Sequence, residues 1–142
     1  MTKKTNKAGV IRALNAALPL QYQCAMGFAI AAGTLSGPEG VALSERLRGW
    51  AAEELIDVER TAARIAALGG KPSATVSELR APTTLKAMLT WLVGNQREAL
   101  DAYAAAIPAD ADDAEGEATE HLLEHIIMRK RDVLENLERA QR

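Results

Sequence analysis

Apolar residues recur every three or four positions through four long stretches of the chain, and this spacing predicts four amphipathic helices. The predicted helices span residues 8–33, 41–68, 83–107 and 117–140. Runs of β-branched residues and stretches of strict apolar-polar alternation, which are typical of strands, are missing from the sequence. The pattern therefore predicts an all-α fold.

The connectors between the predicted helices differ in length. Those at 33–40 and 108–116 are short enough to join antiparallel neighbours. The second connector, 71–83, follows the helix stop Gly69-Gly70 and has about a dozen residues, which at about 3.4 Å per residue can run the length of a helix. We therefore expect a four-helix bundle with a long connector between helices 2 and 3, which leaves those two helices parallel.

Each apolar stripe is interrupted by a polar side chain near the midpoint of its helix. The interrupting residues are Gln21, Glu54 with Asp57 beside it, Gln96 and Lys130. In an up-down bundle these midpoints lie at a similar height, so the side chains should meet in the core. A buried carboxylate costs several kcal/mol unless a cation, a metal or hydrogen-bond donors meet it. The alternative is a helical phase displaced by about 40–50°, which would leave these side chains at helix edges in water.

Four stretches of the chain resemble the helices of ferritin-like di-iron carboxylate proteins, most closely their bacterioferritin-like branch. They are LNAALPLQYQCAMGFAIAAGTL, GWAAEELIDVERTAARIAALGGKP, MLTWLVGNQREALDAYAAAI and HLLEHIIMRKRDVLENLERA. The second stretch, with its paired glutamates and its GGKP stop, is the most specific. The resemblance implies a ferritin-like bundle and, in its usual form, an iron site at the centre.

The resemblance also marks the positions where this family has metal ligands, and Glu54 is the glutamate of the second helix. At the other ligand positions the resemblance implies that the family's residues are replaced. Gln21 and Gln96 stand where the family has two glutamates, Asp57 and Val133 where it has two histidines, and Lys130 where it has a further glutamate. Bacterioferritins use a methionine beside the second-helix glutamate as a haem ligand. Leu55 occupies that position, so haem is not expected.

Two carboxylates, two neutral amides and one ammonium give the predicted polar layer a net charge near −1, which is too little for two divalent ions. We therefore interpret the layer as a salt bridge, with Lys130 between Glu54 and Asp57, in a non-catalytic binding or scaffold module without a cofactor. The alternative is an iron-binding ferroxidase or iron-storage protein with a remodelled site. Its candidate ligands are Glu54, Asp57, His121, Glu124 and His125.

The segment HLLEH, residues 121–125, also matches the HxxEH pattern of inverted zincins. A five-residue match has little specificity, and no second protease motif accompanies it. We interpret both histidines as exposed or interfacial residues of an acidic helix. A surface metal site and a zinc protease remain the alternatives for these residues.

Composition narrows the classes of partner. The net charge is −2 and basic residues alternate with acidic ones, so a nucleic-acid partner is not expected. The longest apolar run, 24–35, is about half a membrane span, and the polar start MTKKTNK is unlike a signal peptide. Cys24 is the only cysteine. We expect a cytoplasmic protein with a single domain over residues 1–142, in which residues 1–7 are flexible. We also expect it to form a homodimer through helices 1 and 2 and to bind a protein or small-molecule partner.

Overall fold

The computed structural model describes residues 3–142, and these residues form four α-helices and no strand. Helix α1 spans Lys7–Thr34, α2 spans Gly37–Ala67, α3 spans Leu85–Ala106 and α4 spans Ala114–Gln141. The all-α prediction is therefore confirmed. None of these four helices combines the length and the hydropathy that a membrane span requires.

The largest error in the predicted helix bounds is at the start of α2. The sequence predicts a loop over 33–40, whereas only Leu35 and Ser36 separate α1 from α2. Ser36 is the N-cap residue and Pro38 lies in the first turn. A proline at this position lacks only an N–H that a helix leaves unpaired anyway, so the Gly-Pro-Glu-Gly segment begins a helix there.

Two hydrophobic clusters occupy opposite ends of the bundle and define its topology. One joins the starts of α1 and α4 to the ends of α2 and α3, and includes Val10, Leu14, Ile65, Leu68, Tyr103, Ala106, Leu123 and Ile126. The other joins the ends of α1 and α4 to the starts of α2 and α3, and includes Phe28, Leu47, Met88, Leu92, Val133 and Leu137. Helices α2 and α3 therefore run parallel, as the sequence predicts.

This topology requires residues 68–84, the connector between α2 and α3, to return along the whole bundle. Side chains of α1 hold the start of the connector. Asn15 Nδ2 donates to the carbonyl oxygen of Lys71 at 3.0 Å, and Asn15 Oδ1 accepts from the backbone N–H of Ser73 at 2.7 Å. The hydroxyl of Tyr22 donates to the carbonyl oxygen of Ser73 at 2.6 Å. The connector is thus attached to the surface of α1 where it leaves α2.

The chain start, for which the sequence predicts flexibility over 1–7, makes hydrogen bonds from residues 3–6, whereas residues 1 and 2 lie outside the described part of the chain. Thr5 is buried, and its backbone N–H and hydroxyl donate to the carboxylate of Asp113 at 3.0 and 2.5 Å. The backbones of Lys3 and Asp112 are also hydrogen bonded. Asp113 caps α4 and offers acceptors to this polar segment, which has no apolar pattern for sequence analysis to detect.

The two interfaces between the α1–α2 hairpin and the α3–α4 hairpin differ in width. At the α1–α3 interface, which we call the narrow seam, a Cβ atom on Gly27 would lie 3.2 Å from the ring of Trp91 and 3.3 Å from Asn95 Nδ2. The backbones of α2 and α4 are farther apart, and we call their interface the wide seam. Long side chains cross it: Arg64, for example, donates to Thr119 Oγ1 at 2.9 Å.

Candidate functional site

The centre of the bundle holds a carboxylate, Glu54, whose side chain is fully buried. Its Oε2 atom accepts hydrogen bonds from Gln21 Nε2 at 2.5 Å and from Lys130 Nζ at 2.7 Å. Its Oε1 atom accepts from Gln96 Nε2 at 3.0 Å. These four side chains come one from each helix, and we call them, together with Asp57, the central polar layer. The structure thus brings the residues predicted at the helix midpoints to one height.

The side chains around Glu54 are oriented by further contacts. Lys130 is fully buried; its ammonium lies 3.4 Å from Gln96 Oε1 and 5.8 Å from the centre of the Tyr103 ring. Gln21 Nε2 also donates to the backbone carbonyl oxygen of Glu54 at 2.8 Å. Both amide groups therefore present N–H donors to the carboxylate, while the ammonium approaches it from α4. The carboxylate is surrounded by donors in the way that buried charges require.

Asp57 is also buried, but its partner is not the predicted one. The guanidinium of Arg129 donates to Asp57 Oδ2 from Nε at 2.8 Å and from Nη2 at 2.5 Å, and Nη2 lies 3.0 Å from Glu54 Oε1. The predicted position of Lys130 between the two acids is therefore wrong. The cation beside Asp57 is Arg129, whose side chain is only 21% exposed. The wide seam leaves room for a guanidinium to reach inward beside the apolar stripe of α4.

A signal for Arg129 was present in the sequence. Asp57 lies one helical turn after Glu54, so a second carboxylate enters the core on the side of α2 that faces α4. One ammonium cannot neutralise two buried acids, and a second cation was therefore required. The neighbouring basic residues of α4 were the available candidates, and their contacts depended on the distance between α2 and α4, which periodicity does not give.

With Arg129 included, the central polar layer has two anions and two cations and hence no net formal charge. Burial raises the pKa of Glu54, but the charges of Lys130 and Arg129 outweigh this effect, so the pKa lies below its ordinary value. Burial raises the pKa of Asp57 above its ordinary value, and Arg129 opposes that rise. Burial also raises the pKa of the neighbouring Cys24 thiol to about 12, so this thiol is not a nucleophile at neutral pH.

The donor set of the layer does not fit a di-iron cofactor. Both oxygens of Glu54 already accept from an amide and lie within ion-pair distance of a cation. Within residues 3–142, the buried acceptor of the layer that has no partner is Gln21 Oε1, a neutral amide oxygen. Two iron ions held by carboxylates and imidazoles need several anionic or imidazole ligands, and the layer supplies no imidazole.

The remaining metal-ligand candidates lie elsewhere. His121, Glu124 and His125 are exposed on α4, whereas Glu54 and Asp57 are buried. Glu124 is rotated by about 100° around the helix from His125. In the described part of the chain, no group of three or more His, Cys, Asp or Glu side chains is arranged to hold a metal. The structure therefore does not assemble the five candidate ligands of the remodelled iron site into one site.

The ferritin family profile, described as a ferritin-like domain, matches residues 11–140 of this chain. The chain belongs to the ferritin family. Its membership confirms the predicted resemblance over almost the whole sequence. No curated protein matches the chain in sequence.

Solved structures with the same fold agree with this family assignment. A ferritin-like, diiron-carboxylate protein from Bacillus anthracis superimposes with a TM-score of 0.88 at 20% identity, over 99% of this chain and 100% of that one. The dodecameric thioferritin of Bacteroides fragilis, a bacterioferritin-related protein, gives 0.82 at 19% identity, over 95% and 85%. Rhodobacter capsulatus bacterioferritin gives 0.78 at 22% identity, over 99% and 86%. At these identities the similarity shows the fold, and the predicted ferritin-like bundle is confirmed.

Proposed function

We propose that this member of the ferritin family is a non-catalytic scaffold in which a neutral layer of ion pairs stands in place of a di-iron site. The observation that carries the proposal is the 2.7 Å contact between the fully buried ammonium of Lys130 and Glu54 Oε2. A resident side-chain cation supplies the charge that metal ions would supply to the same carboxylate. The protein then acts by binding a protein or small-molecule partner and not by redox chemistry.

Electrostatics supports this proposal. An ammonium and a guanidinium at hydrogen-bond distance from Glu54 repel any further cation that approaches the same oxygen atoms. A metal would also have to displace hydrogen bonds from both buried glutamines. Expelling Lys130 into solvent is not simple, because its side chain has no exposed surface in the bundle. Each of these effects disfavours a divalent ion at the centre.

We further propose that the protein is a homo-oligomer whose basic unit is a dimer formed through α1 and α2. Met26 of α1 and Leu55 of α2 have exposed fractions of 43% and 59%, which is high for large apolar side chains. A dodecamer is known for the related thioferritin of Bacteroides fragilis. The dimer predicts that Met26→Glu and Leu55→Glu each lower the molar mass measured by light scattering to that of the monomer, while Val76→Glu on the connector does not.

Iron handling is the second candidate function, and family membership favours it. The two functions separate in one experiment. The protein is purified without chelator, its iron content is measured, and Fe(II) is added in air while oxygen consumption and ferric absorbance are followed. The scaffold predicts well under one iron per chain and oxidation no faster than in protein-free buffer. Iron near two per chain, with oxidation that Glu54→Gln abolishes, would overturn it.

A matched variant strengthens a negative result. Lys130→Glu together with Arg129→Gln removes both cations and adds a carboxylate at the centre. If this variant folds and gains bound iron while the wild-type protein binds none, the two cations are what excludes the metal. If it folds and binds no iron either, the cations are not the reason for exclusion, and that part of the proposal fails.

A further inference from the structure

His121 and His125 lie one helical turn apart on the exposed face of α4 and are used by none of the interactions described above. Their Nε2 atoms are 3.2 Å apart, whereas the centres of the two rings are 4.6 Å apart. The nitrogen atoms are therefore closer than the rings that carry them, and the two imidazoles face each other through Nε2, within hydrogen-bond distance. Neither ring has a backbone or carboxylate partner among the described contacts.

The separation of the nitrogens suits a chelated ion. The two Nε2 atoms are 3.2 Å apart, and a metal ion bound to both would have metal–nitrogen bonds of about 2.0–2.1 Å. These lengths give an N–metal–N angle of roughly 103°. This angle lies between the octahedral and the tetrahedral values, so the spacing of the two nitrogens fits one transition-metal ion bound by both rings.

We propose that His121 and His125 together bind one divalent ion of the copper, nickel and zinc class. Imidazole nitrogen is the preferred ligand type for these ions, whereas magnesium and calcium prefer oxygen. In residues 3–142 no third His, Cys, Asp or Glu completes the site, so water molecules fill the remaining positions. The site is thus an open surface chelate that does not depend on the central polar layer.

The surroundings of the pair limit its affinity without blocking access. The groove beside the two rings is lined by Arg60 of α2 and by Ala118 and Leu122 of α4. Arg60 lies 3.7 Å from Asp57 Oδ1, so its charge is partly compensated within α2. The small side chain of Ala118 leaves the approach to His121 open. Binding should follow the general order of metal affinity for nitrogen ligands, with Cu²⁺ bound more tightly than Zn²⁺.

Titration calorimetry with Zn²⁺ and Cu²⁺, on the protein in its purified oligomeric state, tests the proposal. We expect one ion per chain, and at least a tenfold loss of affinity in His121→Ala and in His125→Ala. The matched control is His121→Ala combined with Ala118→His, which keeps two histidines on the same helix face but separates them by about 10 Å along the axis. This variant should bind as weakly as His121→Ala alone.

Three outcomes would overturn the proposal: no Zn²⁺ or Cu²⁺ binding by the wild-type protein, unchanged affinity in the single variants, or wild-type affinity in the spacing control. The substitutions of His121, His125 and Ala118 are at exposed positions, and circular dichroism confirms whether each variant is folded. Glu54→Gln should leave this binding unchanged. Iron measurements on the central polar layer can be repeated in His125→Ala, so that the surface chelate and the scaffold function are tested separately.

Discussion

The narrow and wide seams join the same two hairpins by different means. At the narrow seam the helices approach closely enough for Cys24 to donate to the backbone carbonyl oxygen of Asn95 at 3.3 Å, and Gly27 leaves space for Trp91. At the wide seam, arginines span the gap, as Arg46 does when it donates to Asn136 Oδ1 at 2.8 Å. Close packing of small and large side chains stabilises the narrow seam, whereas hydrogen bonds and ion pairs of long basic side chains stabilise the wide seam.

This difference determines where polar chemistry can occur in the bundle. The central polar layer is closed toward the narrow seam but reaches partial exposure at Arg129, on the side of the wide seam. The histidine pair and Arg60 lie along the wide seam as well. The central polar layer is therefore accessible to water from the side of α2 and α4. Substitutions on the two sides should therefore change the stability of the protein in different ways.

The largest effect is expected where the layer is fully buried. Lys130→Met removes the ammonium from Glu54 and leaves a carboxylate inside the bundle with only Gln21, Gln96 and Arg129. Loss of one partner of a buried ion pair typically costs about 3–5 kcal/mol. Chemical denaturation of wild-type and variant protein should show a decrease of that size in the free energy of unfolding. No decrease would mean that Lys130 contributes nothing to stability at neutral pH.

The double variant Glu54→Gln with Lys130→Met separates charge from packing. Because neutral side chains of similar shape replace both partners, most of the lost stability should return. If the double variant is as unstable as Lys130→Met, the loss comes from packing and not from the unpaired carboxylate.

A smaller effect is expected at the edge of the layer. Arg129→Gln removes the two hydrogen bonds to Asp57, but water can reach this side chain because Arg129 is partly exposed. Loss of charged hydrogen bonds of this kind costs about 1.5–3 kcal/mol. Denaturation measurements on Arg131→Gln, the adjacent exposed position, provide the control and should agree with the wild-type values.

At the narrow seam the relevant quantity is volume. Gly27→Leu forces a side chain against Trp91 and Asn95, and such overpacking lowers the free energy of unfolding by about 1–3 kcal/mol. The higher helix propensity of leucine relative to glycine restores roughly 1 kcal/mol of this loss. Gly49→Leu gains the same propensity at a position with no neighbour within 4 Å. The two variants should change the free energy of unfolding in opposite directions. Equal stabilisation by both would show that the narrow seam adapts.

The smallest effect concerns acid pH at the start of α4. Hydrogen bonds from Thr5 and from backbone amides lower the pKa of Asp113 to about 2. A lowered pKa in the folded state adds stability above the unfolded value of about 4, and this stability is lost as the pH falls from about 4 toward 2. Asp113→Asn should flatten the dependence of the melting temperature on pH within this window. An unchanged profile would mean that the carboxylate is not held by Thr5 in solution.

The fold was predictable because the spacing of apolar residues along the sequence indicates where the helices lie. The apolar stripes gave four helices, and the length of the connector after Gly70 gave the parallel arrangement of α2 and α3. The predicted start of α2 was wrong because a proline such as Pro38 is compatible with both a loop and a first helical turn. The contacts of the chain start were not predicted, because the polar partner of Thr5 lies more than a hundred positions away in the sequence.

The central polar layer was predictable in part, for a related reason. Gln21, Glu54, Gln96 and Lys130 each lie near the midpoint of a helix. Because the helices are of similar length, these midpoints lie at one height in the bundle, and the contact between the four side chains could be predicted. The partner of Asp57 was not predictable from one helix at a time, since the width of the α2–α4 interface decides whether Arg129 turns inward. Periodicity describes the face of a helix, and the distance to its neighbour is a property of the assembled bundle.

The connector over 68–84 has a consequence for how the chain folds. It divides the molecule into two helical hairpins, with Glu54 in the first and Lys130 in the second. Neither hairpin alone can bury its charged side chain with the opposite charge, so a half-folded intermediate would need to leave its apolar stripe open to water. We expect both hairpins to form and dock in a single cooperative transition, with fluorescence and circular dichroism reporting the same midpoint.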